Sequence, residues 1–506
     1  MYGNLLFKSI KYIAVPTGRM NYQRQHATGH FWTIAQKNIN KNNMIENKNH
    51  ALEPALVSRL GLAMRRHRGT IVALQWGIVL CYLALVVVPA FLPLPPHKTH
   101  IWNNLTRFAQ FALWGIWWPF VIISAMTLGR VWCGVLCPEG ALTEWVSRYG
   151  LGRGIPRWMK WGGWPFVLFV MITVFGQMTS IYEYPEPVLL ILGGSTLAAI
   201  ATGLIWGKHK RIWCRQLCPV SGVFGLLAKI ASVHFKVDQP VWDAAPGGHR
   251  TSRQHVVNCA PLINIRRMAS ASPCHMCGRC AGERNAVQLA LRSPNAEILG
   301  HHGASEKKNQ ETDLWPARLL VFGLLGVALA AFQWNATPWL VTLKQHAADW
   351  LINHEIWWPL KQPGHWWLLT DYPEANDTFT WLDGGLLLGY IAAETLVVGS
   401  WIWGCLRLSS AMTGLLWQRL ALTLIPFAGT GVFVGLSLLT TSQLAREQLI
   451  LPWANSARMT LLALAALWSI SLAWRIAQRN RAEAALGISL AIFLPLSAWY
   501  IQFFVW

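Results

Sequence analysis

The chain reads as an all-α, polytopic membrane protein with about nine transmembrane helices and one small polar segment. Three observations predict this. Only 13% of its 506 residues are charged and 53% are hydrophobic, about half the charged share of a soluble domain. The apolar residues gather in runs near the ~20 residues that a helix needs to cross a bilayer. The 43 Lys and Arg against 22 Asp and Glu, a net charge of +21, collect at the ends of those runs. That placement points to a membrane and away from nucleic acid.

The elements follow in order. Residues 1–64 read as a disordered basic cytoplasmic tail, with 1–50 alternatively lying ahead of a later start such as Met44 or Met64. No secretory signal pattern is present there. The expected spans are 70–92, 107–129, 161–180, 188–206, 316–334, 381–404, 414–440, 455–474 and 483–504. The seventh holds Pro426 and is expected to kink or tilt.

Arg65, Arg66 and Arg68 put the N-terminus in the cytoplasm. Arg130, Arg148, Arg153, Arg157 and Lys160 mark the next inside loop, and Lys208, Lys210 and Arg211 open another. The expected organisation is therefore a four-helix membrane unit over 65–232, a cytoplasmic segment over 233–315 and a five-helix unit over 316–506. The outer loop 335–380 is rich in Trp and is expected to lie along the membrane surface. A bacterial inner membrane is the expected location.

Eight of the ten cysteines carry the chemistry. Cys133 and Cys137 lie in RVWCGVLCPEG, and Cys214 and Cys218 in RIWCRQLCPVSG, the same pattern 81 residues later. In each, Cys at i and i+4 can share a helix face, and the Pro suits the first turn of a new helix. One such pair is often just buried packing; two with matching flanks offer four thiolates. Cys274, Cys277 and Cys280 form C-x2-C-x2-C, the start of the bacterial ferredoxin run C-x2-C-x2-C-x3-C-P. The run then breaks, because Arg284-Asn285 stand where Cys-Pro would follow. Cys259, fifteen residues upstream, is the replacement.

Eight thiolates in these spacings predict two [4Fe–4S] clusters. The first choice places one on Cys133, Cys137, Cys214 and Cys218, and the other on Cys259, Cys274, Cys277 and Cys280. The alternative crosses them, with Cys137 or Cys218 completing the C-x2-C-x2-C site. Zinc is the rival occupant, since four thiolates also suit a tetrahedral ion. All eight fall on the expected cytoplasmic side, where thiols stay reduced. Arg130, Arg211, Arg215 and Arg279 stand beside them, either favouring a reduced cluster or anchoring the membrane edge.

Other residues carry less. Cys81 and Cys405 read as packing. No histidine falls in an expected span, which argues against a transmembrane haem relay. His346, His354 and His365 in the outer loop read as interface residues rather than metal ligands. Glu394 is an acid inside the sixth span, a proton acceptor from a quinol or a partner for another helix.

The paired WCGVLCP and WCRQLCP motifs with the later CHMCGRC resemble the membrane polyferredoxins of the NapH, NosR and CcoG type, over about residues 60–300. The CHMCGRC segment followed by RSPN looks most like the branch associated with bacterial iron uptake. The resemblance implies a ferredoxin-like cytoplasmic segment and an electron conduit rather than a stand-alone enzyme. The expected partners are a cytoplasmic or quinol donor and a periplasmic-side redox protein or membrane transport subunit, with quinone as a further cofactor because inner-side clusters alone do not carry electrons across ~30 Å of hydrocarbon. The alternative reading is a transport or assembly subunit with structural or redox-sensing clusters. Spans 316–504 have no counterpart in that resemblance.

Overall fold

The computed structural model describes residues 54–96, 98–245, 257–300 and 314–506. Contacts divide the chain into Met1–Leu56 and Val57–Trp506, and the membrane helices all belong to the second unit. The expected tail lies outside the described residues up to 53. Its last stretch departs from expectation, because helix α1, Pro54–Arg66, forms there. Val57, Gly61 and Met64 recur at helical spacing, which gives the helix a face to bury. Gly61 lies against Leu289 and Met64 against Gly278, and Arg65 Nη1 donates to the Ala281 carbonyl at 2.7 Å.

Among the described residues eight helices are long and apolar enough to cross a membrane. Helix α2 is Arg68–Phe91 and α3 is Leu105–Leu128. A short helix α4, Pro138–Val146, follows the first cysteine pair. The expected third span is helix α5, Trp164–Met178, of 15 residues. At ~1.5 Å per residue it reaches roughly 22 Å, short of the ~30 Å of hydrocarbon. Pro165 fixes its start in the first turn, and Ser180 ends it with φ 49°. Helix α6 is Pro185–Trp206 and α7, after the second cysteine pair, is Ser221–Ile230.

The C-terminal helices are α8 Leu314–Ala336, α9 Pro338–Asn353, α10 Trp381–Thr413, α11 Ile425–Arg446, α12 Ala454–Ile476 and α13 Arg481–Phe504. A capping box of Thr380 and Asp383 starts α10, and Gly414 ends it with φ 71°. The expected seventh span is thereby broken. A short turn of helix, Trp417–Leu422, precedes α11, and Pro426 sits in the first turn of α11. There its missing N–H is not needed, so it starts a helix instead of kinking one.

One apolar core joins the two halves: Val121 of α3, Leu227 of α7, Leu320 of α8, Ile402 of α10 and Phe427 of α11 pack in it. The cysteine-bearing loops gather at one end of the bundle. There β1, Val233–Val237, pairs antiparallel with β2, Val287–Leu291, with Phe235 opposite Leu289. Their buried faces pack with Ile265 and Met276 to form the base of the polar segment.

At the other end, Tyr184 stacks on Tyr372 at 3.6 Å. Their hydroxyls donate to Asp377 and Glu186. Helix α9 buries no residue, and Trp339 and Trp350 are exposed. His354 and His365 stack on Trp350 and Trp367, and His346 is exposed on α9. Glu394 lies beside Tyr390, one turn away in α10. Cys81 is exposed and Cys405 half-buried.

Candidate metal centres

The two C-x3-C-P loops face each other. Cys137 precedes Pro138, the first residue of α4, and its Sγ accepts the Gly140 N–H at 3.4 Å. A helix start favours negative charge at that sulfur. Cys214 and Cys218 stand in the matching place before α7. The four sulfurs line one cavity, and Cys137 and Cys218 are close enough to interact with the other pair.

The repeat also explains the arginines three residues before each pair. Arg130 reaches across to the second loop, with Nη2 donating to Ser221 Oγ at 2.8 Å; that hydroxyl donates to the Cys214 carbonyl at 2.7 Å. Arg211 reaches back to the first, with Nη1 donating to the Cys133 carbonyl and Nε to Glu144 Oε2 at 2.7 Å. Each repeat therefore holds its partner's cysteine loop. Arg130 and Arg211 are only 4% and 1% exposed, so neither is a headgroup anchor; Arg215 is exposed.

Cys259, Cys274, Cys277 and Cys280 line a second cavity. The strand pair brings the CHMCGRC turn to it, and positive φ at Met276 and Gly278 curls the backbone around it. The position of the absent fourth Cys-Pro is a turn, with Arg284 and Asn285 at φ 52° and 56°, which returns the chain into β2. Cys259 arrives from the other side. Lys210 Nζ donates to its carbonyl at 3.1 Å, and the Arg211 N–H donates to Ala260 O at 2.8 Å. Both ties come from the second C-x3-C-P loop.

The two groups abut at Gly134. A Cβ there would lie 2.0 Å from the His275 carbonyl oxygen and 2.9 Å from the Cys277 nitrogen. Only glycine lets these backbones touch. Glu144 of α4 fastens the same junction. Its carboxylate takes Arg211 from the second loop and Arg279 from the CHMCGRC turn, with Arg68 of α2 at 3.8 Å. Glu139 does the same toward the bundle, accepting Ser195 Oγ at 2.6 Å and Trp213 Nε1 at 3.0 Å.

The donor sets fit iron–sulfur clusters. Burial pushes the Cys214 and Cys274 thiols up to about 12, so these two hold their protons until a cationic occupant displaces them. His275, 1% exposed and lining the second cavity, has no partner for either ring nitrogen. A buried imidazole in that condition is costly, and a cluster sulfide would accept its N–H. Burial and then Arg130, Arg211 and Arg215 hold its pKa well below the usual value, so it is neutral and carries one N–H.

Sequence reasoning missed Glu139, Glu144, Gly134 and His275. A signal for the two acids existed: they are the only carboxylates between residues 130 and 182 of a strongly basic loop region. Nothing in the sequence singled out His275 as orphaned.

A family model described as a 4Fe-4S binding domain matches residues 110–158 and 189–238. Each match contains one C-x3-C-P pair, and Cys259–Cys280 lie outside both. YccM of Escherichia coli (strain K12), named for electron transport, is 24% identical over 43% of this chain and 65% of its own. The methylamine utilization ferredoxin-type protein MauN of Paracoccus denitrificans (strain Pd 1222) is 26% identical over 25% of this chain and 50% of its own. The ferredoxin-type protein NapH of Haemophilus influenzae is 23% identical over 32% and 61%. The chain thus spans less than two thirds of the length of these curated relatives. No solved structure matches. The resemblance to the membrane polyferredoxins is borne out, as is a multi-pass membrane protein with 4Fe-4S binding character.

The junction yields two predictions. Glu144→Ala strands the buried Arg211 and should cost ~3–5 kcal/mol. Thermal unfolding in detergent should show the loss, and Glu144→Gln should show a smaller one. Gly134→Ala forces the two cysteine groups apart while touching no thiol; iron retention in the purified variant should fall well below wild type.

Proposed function

We propose that this chain is a bacterial inner-membrane iron–sulfur electron carrier. Cys133, Cys137, Cys214 and Cys218 would hold one [4Fe–4S] cluster, and Cys259, Cys274, Cys277 and Cys280 a second. The observation that carries the proposal is the pair of four-cysteine cavities, one on either side of Gly134. Clusters so held supply one-electron chemistry. The chain's own part is to keep water away, hold the two sites together and set their charge. Arg130, Arg211 and Arg279 add positive charge around both sites, which favours the more negative, reduced form. The basic loops support placing both sites on the cytoplasmic side.

The first cavity extends from the thiols into the bundle, with a volume of about 210 Å³. Trp114, Trp118, Phe169 and Phe332 form its apolar walls, and Tyr82, Glu139 and Tyr182 supply polar groups. Those features support a quinol as one electron donor, its ring entering from the bilayer to the edge of the first site. The helix turns Phe111–Trp117 and Leu189–Gly193 are widened to i+5 hydrogen bonding where they line it, a distortion frequent at functional sites. The acceptor in this reading is a redox protein or transport subunit at the outer face, and the CHMCGRC–RSPN segment favours service to iron uptake.

The test is anaerobic purification with iron, sulfide and zinc analysis, and EPR of the dithionite-reduced protein. About eight iron and eight sulfide per chain are expected. Cys133→Ser should remove one EPR signal and Cys259→Ser the other. Zinc without sulfide would end the electron-transfer reading. Two signals that both survive Cys259→Ser would end the ligand assignment. Clusters that respond to oxidant but are not reduced by quinol would move the protein to the sensing alternative.

A further inference from the structure

Beside the second cysteine group lies a polar cavity of about 620 Å³ that the electron-carrier reading does not use. Four guanidinium groups line it, those of Arg65, Arg68, Arg148 and Arg279, against the carboxylates of Glu144 and Glu283. Four positive charges less two negative leaves two unmatched. The carboxylates are already committed: Glu144 to Arg211, Arg279 and Arg68, and Glu283 to Arg65 at 3.6 Å. The Arg148 side chain makes no hydrogen bond or ion pair among the described residues. A concave surface with surplus arginine charge concentrates anions, and planar guanidinium groups match phosphate oxygens in paired hydrogen bonds.

We infer that this cavity binds a soluble phosphoester of nucleotide size. The volume falls in the range of small-molecule and cofactor sites, several times what a lone inorganic anion fills. Its floor is Arg279, the residue before Cys280, and Val257 lines both this cavity and that of the second cysteine group. A bound nucleotide therefore sits next to the second site, and its phosphate meets Arg148 and Arg68 at the rim. The same chemistry is carried by a lipid headgroup, because Arg68 and Arg148 also stand where helices leave the bundle. Concavity and depth toward Arg279 favour the soluble ligand. The inference stands on charge and cavity alone and does not require the clusters to carry electrons.

The test uses the full, anaerobically purified chain in nanodiscs of zwitterionic lipid. Flavin mononucleotide, ADP and inorganic phosphate are titrated by calorimetry. Saturable binding of at least one nucleotide is expected, tighter than that of phosphate. It should weaken at least about tenfold in Arg148→Ala and be lost in Arg148→Glu, with Arg148→Lys intermediate. The EPR signals of the variants should match wild type, which separates loss of the ligand from loss of fold. No nucleotide binding up to millimolar concentration would overturn the inference, as would binding that Arg148→Glu leaves unchanged. Retention of anionic lipid that depends on Arg148, with no nucleotide binding, would assign the arginines to a headgroup and overturn it equally. Nucleotide binding by a protein without EPR signals would uphold this site and reject the electron-carrier reading.

Discussion

The buried pairing of Arg211 with Glu144 is the interaction on which the rest of the cysteine-bearing end depends. Arg211 is 1% exposed, and a charge in that position is tolerable only when it is fully hydrogen-bonded. Its Nε goes to Glu144, its Nη1 to the Cys133 carbonyl and its backbone N–H to Ala260. One residue thus touches the first cysteine loop, the helix after it and the segment that delivers Cys259. Glu144 then extends the tie to Arg279 in the CHMCGRC turn. The first cysteine loop with its helix, the second loop, the Cys259 segment and the CHMCGRC turn are thus tied together through the Arg211–Glu144 pair and the hydrogen bonds and ion pair that branch from it. Hydrophobic burial alone, being non-directional, would not set their register.

That constraint makes sense of the duplication. Two copies of R-x2-C-x3-C-P placed face to face each lack something the other supplies. The first arginine holds the second loop through Ser221, and the second arginine holds the first loop through Cys133. The exchange is only approximately symmetric. Arg211 meets a carboxylate and Arg130 does not; Arg130 Nη1 instead donates to the Ser272 carbonyl of the polar segment at 2.9 Å. Asymmetry enters where the third cysteine cluster docks. The same side chains that mate the repeats also seat the added segment.

Most of the membrane fold was legible because a bilayer imposes length and polarity on each crossing. Eight expected spans have a counterpart within a few residues at most ends, α10 running on to Thr413 being the largest extension. The departures have local causes. Pro165 and Ser180 shorten α5, and Gly414 with Pro426 divides what hydropathy alone merges. Residues 54–64 read as tail because their apolar run is too short to span and is followed directly by Arg65, Arg66 and Arg68, yet it is long enough to give one helix a face to bury. The cysteines of the site were legible from spacing. Their company was not: Glu144, Gly134 and His275 matter through contacts at separations of 59 to 143 residues, as between Gln75 and Gly134 or Gly134 and Cys277. No local pattern encodes such contacts.

The five C-terminal spans fall outside the matched family model, yet they are not a detached addition. Ala328, Ala331 and Phe332 of α8 and Val432 and Leu436 of α11 close the wall of the first cavity opposite the spans of the cysteine-bearing half. Gly435 admits the Phe332 ring there, since a Cβ would meet it at 2.2 Å. Without those two helices, the side of the cavity facing Trp114 and Tyr182 would open to lipid. The family match covers the C-x3-C-P loops, and the helices beyond it add the wall that shapes what lies beside them. That half of the chain therefore lines the approach to the first cysteine group while contributing no cysteine to it.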